Sequence, residues 1–398
     1  MIHVYAYRLV RPAAVLLTLL IATSCLTACW DRNEINDLAI VTAAGFDLAD
    51  DNKIKLSVQI YVPASSSSGQ SLGSEPSGEI KQAFVESAIG ANTSEAASRL
   101  QELLSRRLFW GQSDVFIFSE KLAKHGLNDP LDFLIRHPDP RERANIYISK
   151  GGADKLLAWK SNIERNSAEA LREMSVIQTG LDVSLLEAVV DLSDEAHTTL
   201  IPLVRMKKSG NKTSPYFSGI GSIKAQKLNY LYDIYQARGL LWLHDQIESA
   251  TLTTKIDDGN GYASMEIVSG DTNLKPIVQG DKLAVNVQIK IAGNINENTT
   301  KLDVTKPENV KMLEKQFGLE IIERIEGAVK IAQQTNTDVL GFADQFHRHH
   351  PQVWKKNKPN WDHVFSQVEV KYDVDVTILR IGLVGKNKVL NDGMEQSQ

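Results

Sequence analysis

Val368-Glu369-Val370-Lys371-Tyr372-Asp373-Val374-Asp375-Val376-Thr377-Ile378 changes character at every residue. Successive side chains of a strand point to opposite faces. The spacing therefore predicts a strand with Val368, Val370, Tyr372, Val374, Val376 and Ile378 on one side and Glu369, Lys371, Asp373, Asp375 and Thr377 on the other. A stretch of the same period lies upstream: Leu283, Val285, Val287, Ile289 and Ile291 share one face, and Lys282, Asn286, Gln288 and Lys290 the other. Between the two the period changes. Behind Pro307, near the first turn, Val310, Leu313, Phe317, Ile321, Ile325, Ala328 and Ala332 recur at threes and fours, the pattern of a long helix with a wide apolar arc. An apolar sheet face and an apolar helix arc bury each other. The expected fold is α+β: a mixed α/β N-terminal domain, then a sheet-rich C-terminal part with the long amphipathic helix packed on antiparallel strands.

The earlier chain alternates between the two periods. Segments 38–44 and 53–62 read as strands joined through Asp47-Leu48-Ala49-Asp50-Asp51. Lys53-Ile54-Lys55-Leu56-Ser57-Val58-Gln59-Ile60 predicts one buried and one wet face. The Ser-, Gly- and Pro-rich run 63–79 has little to bury and reads as a flexible excursion. Asn92 and Glu95 are spaced as a capping box before a stripe of Ala96, Leu100, Leu103 and Leu104. Residues 114–119 read as a short strand. Asp129-Pro130 is a cap with proline behind it, and His137-Pro138-Asp139-Pro140 must stop the helix it opens. Residues 144–149 return as a strand, and two amphipathic helices are expected within 153–191. The polar turn Lys207-Lys208-Ser209-Gly210-Asn211-Lys212 is a candidate boundary. The expected division is 1–28, 29–205 and 206–390, with the last also divisible into 206–275 and 276–390.

The first 28 residues read differently. Arg8 and Arg11 precede an apolar run over 13–22, too short to span a bilayer and followed by Leu26-Thr27-Ala28-Cys29. A branched apolar residue, two small residues and cysteine form a bacterial lipobox. The small residues admit the chain to a peptidase cleft that cuts between Ala28 and Cys29. The Cys29 sulfur is the nucleophile that takes the diacylglyceryl group, for which a hydroxyl is far weaker at neutral pH. The alternative is an ordinary secretory signal whose cleavage site happens to precede a cysteine; the four-residue fit favours lipidation. At about 0.8 kcal/mol per buried methylene, two acyl chains suffice for stable attachment. Cys25 leaves with the signal peptide, so the mature chain has no second cysteine for a disulfide.

Cys29-Trp30-Asp31-Arg32-Asn33-Glu34-Ile35-Asn36-Asp37-Leu38-Ala39-Ile40-Val41 resembles the mature N-terminus of the Ger(x)C family, spore-germination lipoproteins that are the C subunits of GerA-type nutrient receptors. The family usually continues into a Gly-Ile/Phe-Asp turn, present here as Gly45-Phe46-Asp47. Further matches follow in order: Phe109-Trp110-Gly111, Gly126-Leu127, Leu131-Asp132-Phe133-Leu134-Ile135-Arg136, Pro140-Arg141, Arg238-Gly239-Leu240-Leu241-Trp242-Leu243, Asp338-Val339-Leu340-Gly341-Phe342, His350-Pro351 and Trp354. One segment departs: where the family commonly has Gly-x-Ala-x-Phe-Lys, this chain reads Gly219-Ile220-Gly221-Ser222-Ile223-Lys224-Ala225. The resemblance implies a lipid-anchored subunit of a membrane nutrient germinant receptor, with membrane-spanning A and B subunits as partners. It would sit on the outer face of the cytoplasmic membrane, in spores the inner membrane.

Composition fits that expectation. The formal charge is −5, and two units more negative once Arg8 and Arg11 leave. This argues against nucleic acid and against electrostatic adhesion to anionic lipid, so acylated Cys29 is the expected contact with the bilayer. No catalytic residue, metal or cofactor is expected. His347-Arg348-His349-His350, with His363, lacks zincin-like spacing and reads as a solvated loop before Pro351. Asp50-Asp51 and Asp257-Asp258 sit in turns, and Ser218 lacks a nucleophile-elbow context. Trp110, Trp159, Trp242, Trp354 and Trp361 could line a ligand groove, but such residues are more often core anchors. The competing reading is a substrate-binding lipoprotein of a transporter, or a lipid-anchored hydrolase. A binding protein would be expected to show two similar lobes, and the two halves here read differently.

Overall fold

The computed structural model describes residues 37–61, 83–176, 180–210, 212–247, 250–256 and 261–382. Strands β1 (Leu38–Leu48), β2 (Ile54–Tyr61), β3 (Ala83–Gly90), β4 (Arg107–Phe109), β5 (Val115–Ser119), β6 (Asn145–Ser149), β7 (Thr198–Ser209), β8 (Lys212–Lys224) and β9 (Lys227–Asp233) form the first sheet. Its order is β3-β2-β1-β5-β6-β7-β8-β9, with β4 beside β1. The middle strands β1, β5, β6 and β7 are parallel and the flanking pairs antiparallel. Parallel neighbours need crossovers, and the helices supply them: α1 (Thr93–Glu102), α2 (Glu120–His125), α3 (Asn128–Arg136), α4 (Ala153–Leu157), α5 (Ser167–Val176) and α6 (Leu185–Ser193).

Helices cover both faces of the first sheet, and this overturns one expectation. The polar side of β2 is not wet: Ser57 and Gln59 are buried. Gln59 Nε2 donates to the Leu157 carbonyl at 2.9 Å and to Ser167 Oγ at 2.8 Å, while its Oε1 accepts from Thr42 Oγ1 at 3.1 Å. The small core holding Val115, Ile117, Tyr147, Leu157 and Leu171 lies on this side, against α4 and α5. Gly45-Phe46-Asp47 is likewise the end of β1 and no turn. Gly45 admits Ala153, whose Cβ would stand 2.8 Å from an added Cβ; Phe46 stacks on Phe118 at 5.4 Å; Asp47 accepts from the Ala153 amide at 2.9 Å and so starts α4.

Other local expectations shift by a residue or an element. Asn92 does cap α1, accepting from Glu95 N at 2.8 Å, but Glu95 reaches back to Ala91 N at 2.6 Å. Asp129 is inside α3 and accepts from Thr93 N at 3.0 Å, tying α3 to α1. Three helices, not two, occupy 153–193. The polar run 207–212 is the tip of the β7–β8 hairpin, so the first sheet continues to Asp233 and the chain changes sheets at α7 (Ile234–Leu243).

The second sheet is β10 (Thr251–Ile256), β11 (Gly261–Gln279), β12 (Lys282–Asn298) and β13 (Glu369–Arg380), in that order. The long helix α8 (Pro307–Gln334) buries Leu313, Phe317, Ile321, Ile325, Ala328 and Ala332. β10, β11 and β12 pair antiparallel as expected, while β13 joins β12 in parallel, because α8 carries the chain back to the start of the sheet before β13 begins. Short helices α9 (Phe342–His349), α10 (Pro351–Asn357) and α11 (Trp361–Phe365) complete the return. One large core joins the two sheets, from Val41 and Phe46 through Leu240 and Trp242 to Val287 and Phe317.

Candidate functional site at the junction of the sheets

Cys29, Ala28 and the residues up to Asn36 lie outside the described residues, as do the run 63–79 and Asp257-Asp258. The histidine cluster is the last turn of α9 and no loop. Its members diverge: His347 Nδ1 lies 3.4 Å from Glu195, His350 Nε2 lies 3.4 Å from the Pro276 carbonyl, and His363 of α11 faces Gln367 beyond the helix end. Among the described residues no three metal-ligating side chains converge. The tryptophans also separate. Trp110 packs edge-on against Phe133 at 5.7 Å, and Trp354 on Trp361 at 4.9 Å. Trp159 donates to the Thr213 carbonyl at 2.5 Å. Trp242 lines a cavity.

That cavity flanks α7. Asp233 begins the helix with a full capping box, accepting from Gln236 N at 2.9 Å while Gln236 Oε1 accepts from Asp233 N. Gly239 then lets α7 press on α8: a Cβ there would stand 2.8 Å from the Arg324 carbonyl carbon and closer still to its oxygen. The residues around Gly239, Arg238, Leu241 and Trp242, line a space of about 240 Å³ also lined by Phe217 and Ile220 of β8, Leu252 of β10 and Ile267 of β11. Arg238, Gln246, Thr251 and Arg324 are its polar lining residues. Arg324, buried on α8, gives two N–H groups to Glu320 Oε1 at 2.8 Å and lies 5.2 Å over the Tyr235 ring. Arg238 is exposed at the edge, with no hydrogen-bond or ion-pair partner among the described residues. Partial burial, and then the like charge of Arg324, lower its pKa. Gln246 Oε1 is inaccessible to solvent and has no hydrogen-bond partner among the described residues.

A second, acidic cavity of about 360 Å³ lies between α6 and α9, lined by Asp191, Asp194 and Asp344 among others. Burial first, then the neighbouring carboxylates, raise the pKa of Asp191 and Asp344. At its floor Asp338 starts α9. Its carboxylate accepts from the amides of Leu340, Phe342 and Ala343, at 3.3, 3.1 and 2.6 Å, and from Trp361 Nε1 at 2.9 Å. Its carbonyl accepts from Thr198 Oγ1 of β7 at 2.7 Å. This knot fastens the second half of the chain to the first sheet.

Comparison with known proteins bears on the whole chain. Residues 31–206 match the model of the spore germination protein N-terminal domain, and residues 218–382 that of the spore germination B3/GerAC-like C-terminal domain. The chain belongs to the GerAC-like family of spore germination proteins. Spore germination protein KC of Bacillus subtilis (strain 168) is 25% identical over 94% of this chain and 97% of its own length. Spore germination protein B3 of the same organism is 26% identical over 91% and 96%. The crystal structure of the GerBC protein superposes with a TM-score of 0.58 at 20% identity, covering 84% of this chain and 96% of that one, and so shares the fold.

Several motifs that carried the family resemblance now have structural causes. In Arg238-Gly239-Leu240-Leu241-Trp242-Leu243, Gly239 is the helix crossing, Leu240 and Leu243 are core, and Arg238, Leu241 and Trp242 face the cavity. In Asp338-Val339-Leu340-Gly341-Phe342, the Asp338 carboxylate takes the first amides of α9, and Gly341 stands at the N-cap position with a positive φ of 75°. Sequence reasoning missed Arg324 and Gln246. Arg324 had a signal: a charged residue between Ile321 and Ile325, inside the apolar arc of an amphipathic helix. Gln246 had none, since only the folded chain brings it to the cavity.

Proposed function

We propose that this family member is a lipid-anchored, non-enzymatic subunit of a membrane nutrient germinant receptor, taking part in the trigger of spore germination. Acylated Cys29 holds it on the outer face of the cytoplasmic membrane, in spores the inner membrane, beside the membrane-spanning A and B subunits. The observation that carries this reading is positional. The two germination domains span 31–206 and 218–382, and the lipobox cysteine stands two residues before the first of them. No helix among the described residues is long and apolar enough to cross a membrane. A transporter's binding lipoprotein would call for two similar lobes, whereas the two sheets here differ in strand number and order.

Two measurements test the reading. Cys29→Ala should move the protein from the detergent phase to the aqueous phase in a phase-partition assay; retention in detergent places the anchor elsewhere. Spores lacking the protein should lose the response to one set of nutrients and keep germination by routes that bypass nutrient receptors. A normal response to every nutrient, in a strain with no second receptor of this type, overturns the receptor reading.

A further inference from the structure

The geometry points to the outer face of α6 as a docking surface for a cationic amphipathic helix of another protein. Leu186 and Val190 stand one turn apart on α6 and are 45% and 48% exposed. Residues four apart on a helix share a face, so the two make a continuous apolar ridge. On one side the ridge falls into a hollow between α6 and α3. Val189 and Leu192 of α6 line it, with Phe133 and Ile135 of α3 opposite, and Ile135 is 55% exposed. Apolar side chains scattered singly on a surface are ordinary. A ridge and a groove side by side are the form that takes the apolar face of a helix. The nine residues of α6 span ~13 Å, which matches roughly two to three turns of a partner helix.

Charge names the partner. Six aspartates and glutamates, and no lysine or arginine, lie between Arg172 and Arg205. Glu187, Asp191 and Asp194 follow one another at helical spacing along the other side of the ridge, where they line the acidic cavity. None of the three has an ion-pair partner among the described residues. Arg348, the arginine that lines that cavity, acts on Asp344 of α9. On the groove side the charged lining residues are Asp129 and Asp132, and the neighbouring Arg136 is held by Asp132 at 2.7 Å. An apolar stripe rimmed by one sign of charge selects a partner of the opposite sign. A second copy of this chain would set acid against acid, and an anionic bilayer would be repelled in the same way. A helix with apolar residues at threes and fours and lysine or arginine on its flanks meets both features of the face.

The test needs neither lipid nor a receptor partner, so it stands or falls independently of the receptor reading. It uses the whole chain from residue 29 with Cys29→Ala, which keeps every described residue and both sheets. Fluorescence anisotropy follows three labelled peptides of equal length: a Leu–Lys peptide with leucines at threes and fours, a scramble of the same composition without that period, and a Leu–Glu peptide with it. The expected result is one equivalent of the Leu–Lys peptide bound, about tenfold weaker binding of the scramble, and no binding of the Leu–Glu peptide. Leu186→Ser combined with Val190→Ser, both at exposed positions, should keep the wild-type melting temperature and weaken the Leu–Lys peptide about tenfold. Asp194→Asn should weaken it about two- to fivefold and flatten its dependence on salt. The proposal is overturned if the double variant binds the Leu–Lys peptide as wild type does, if the scramble binds equally, or if binding ignores salt. It is also overturned if the chain sediments as a dimer that the double variant dissolves, which would give the face to a second copy.

Discussion

Gly239 of α7 meets the carbonyl of Arg324 on α8 backbone to backbone, with the carbonyl carbon 2.8 Å from where a Cβ would stand. Neither partner can turn away as a side chain could. Alanine is normally the better helix residue by about 1 kcal/mol. At this crossing the steric conflict outweighs it, and Gly239→Ala should destabilise the chain by a net ~1–3 kcal/mol. Gly327, one turn further along α8, is the control: a Cβ there meets nothing within 4 Å. Gly327→Ala should be neutral to stabilising, by up to about 1 kcal/mol. Urea midpoints of the two variants should therefore move in opposite directions. A shared direction would mean that the helices do not cross where these two glycines place them.

Gln59 bridges β2 and the helices over it, with Leu157, Ser167 and Thr42 as partners. Gln59→Leu keeps much of the volume but strands these groups in a dry core. Each buried polar group left unpaired costs roughly 1–3 kcal/mol, so a loss of several kcal/mol is expected. Ser57→Ala on the same strand breaks only the bond to the Ser87 hydroxyl at 2.8 Å and should cost about 1 kcal/mol. The ratio of the two losses, from chemical denaturation, measures how dry that face is.

The sheet around β12 and β13 was legible because each strand carries its own alternation and α8 its own arc. Those signals are local, and one buried face each is what the period reports. The first sheet was less legible for the converse reason. Ser57 and Gln59 look like wet positions, and only the fold brings α4 and α5 over them. Helix α7 was not foreseen as a helix: Leu240-Leu241-Trp242-Leu243 is buried all round, so no polar face marks the period. The direction of β13 was misread because alternation fixes which side chains share a face and says nothing of which way the strand runs. The cavity itself is a long-range product. Arg238 was in view as part of a motif, but Gln246, Arg324 and the β10–β11 wall are neighbours in space only.

Asp338 has four donors on one carboxylate, and Trp361 Nε1 is one of them. Asp338→Ala should unfasten α9 and cost several kcal/mol, since buried donors lose their acceptor together. Trp361→Phe removes one donor and should cost less. The two effects should not add: in the Asp338→Ala background the Trp361→Phe loss should shrink by about 1 kcal/mol or more, the share due to the shared bond. A double-mutant cycle read by thermal denaturation gives that coupling, and strict additivity would remove the indole bond from the account of this knot.

Asp344 faces the acidic cavity from α9, with Asp194 and Glu195 repelling its charge and Arg348 and His347 partly compensating. Burial is the larger cause, and together they raise its pKa above the ordinary carboxylate value. A carboxyl whose pKa is higher in the folded than in the unfolded chain favours folding when protonated. That contribution is complete below the ordinary value of about 4 and is lost as pH rises through the raised native value. At neutral pH the ionised group is a burden on the joint between α6 and α9. Asp344→Asn, which keeps the shape and removes the charge, should therefore melt higher than wild type at pH 7. The gap should narrow as pH falls from just above the carboxylate range and close near pH 4, where wild type is protonated too. If the Asp344→Asn advantage instead grows toward acid pH, the carboxylate is stabilised at neutral pH, and Arg348 and His347 outweigh the burial and repulsion argued here.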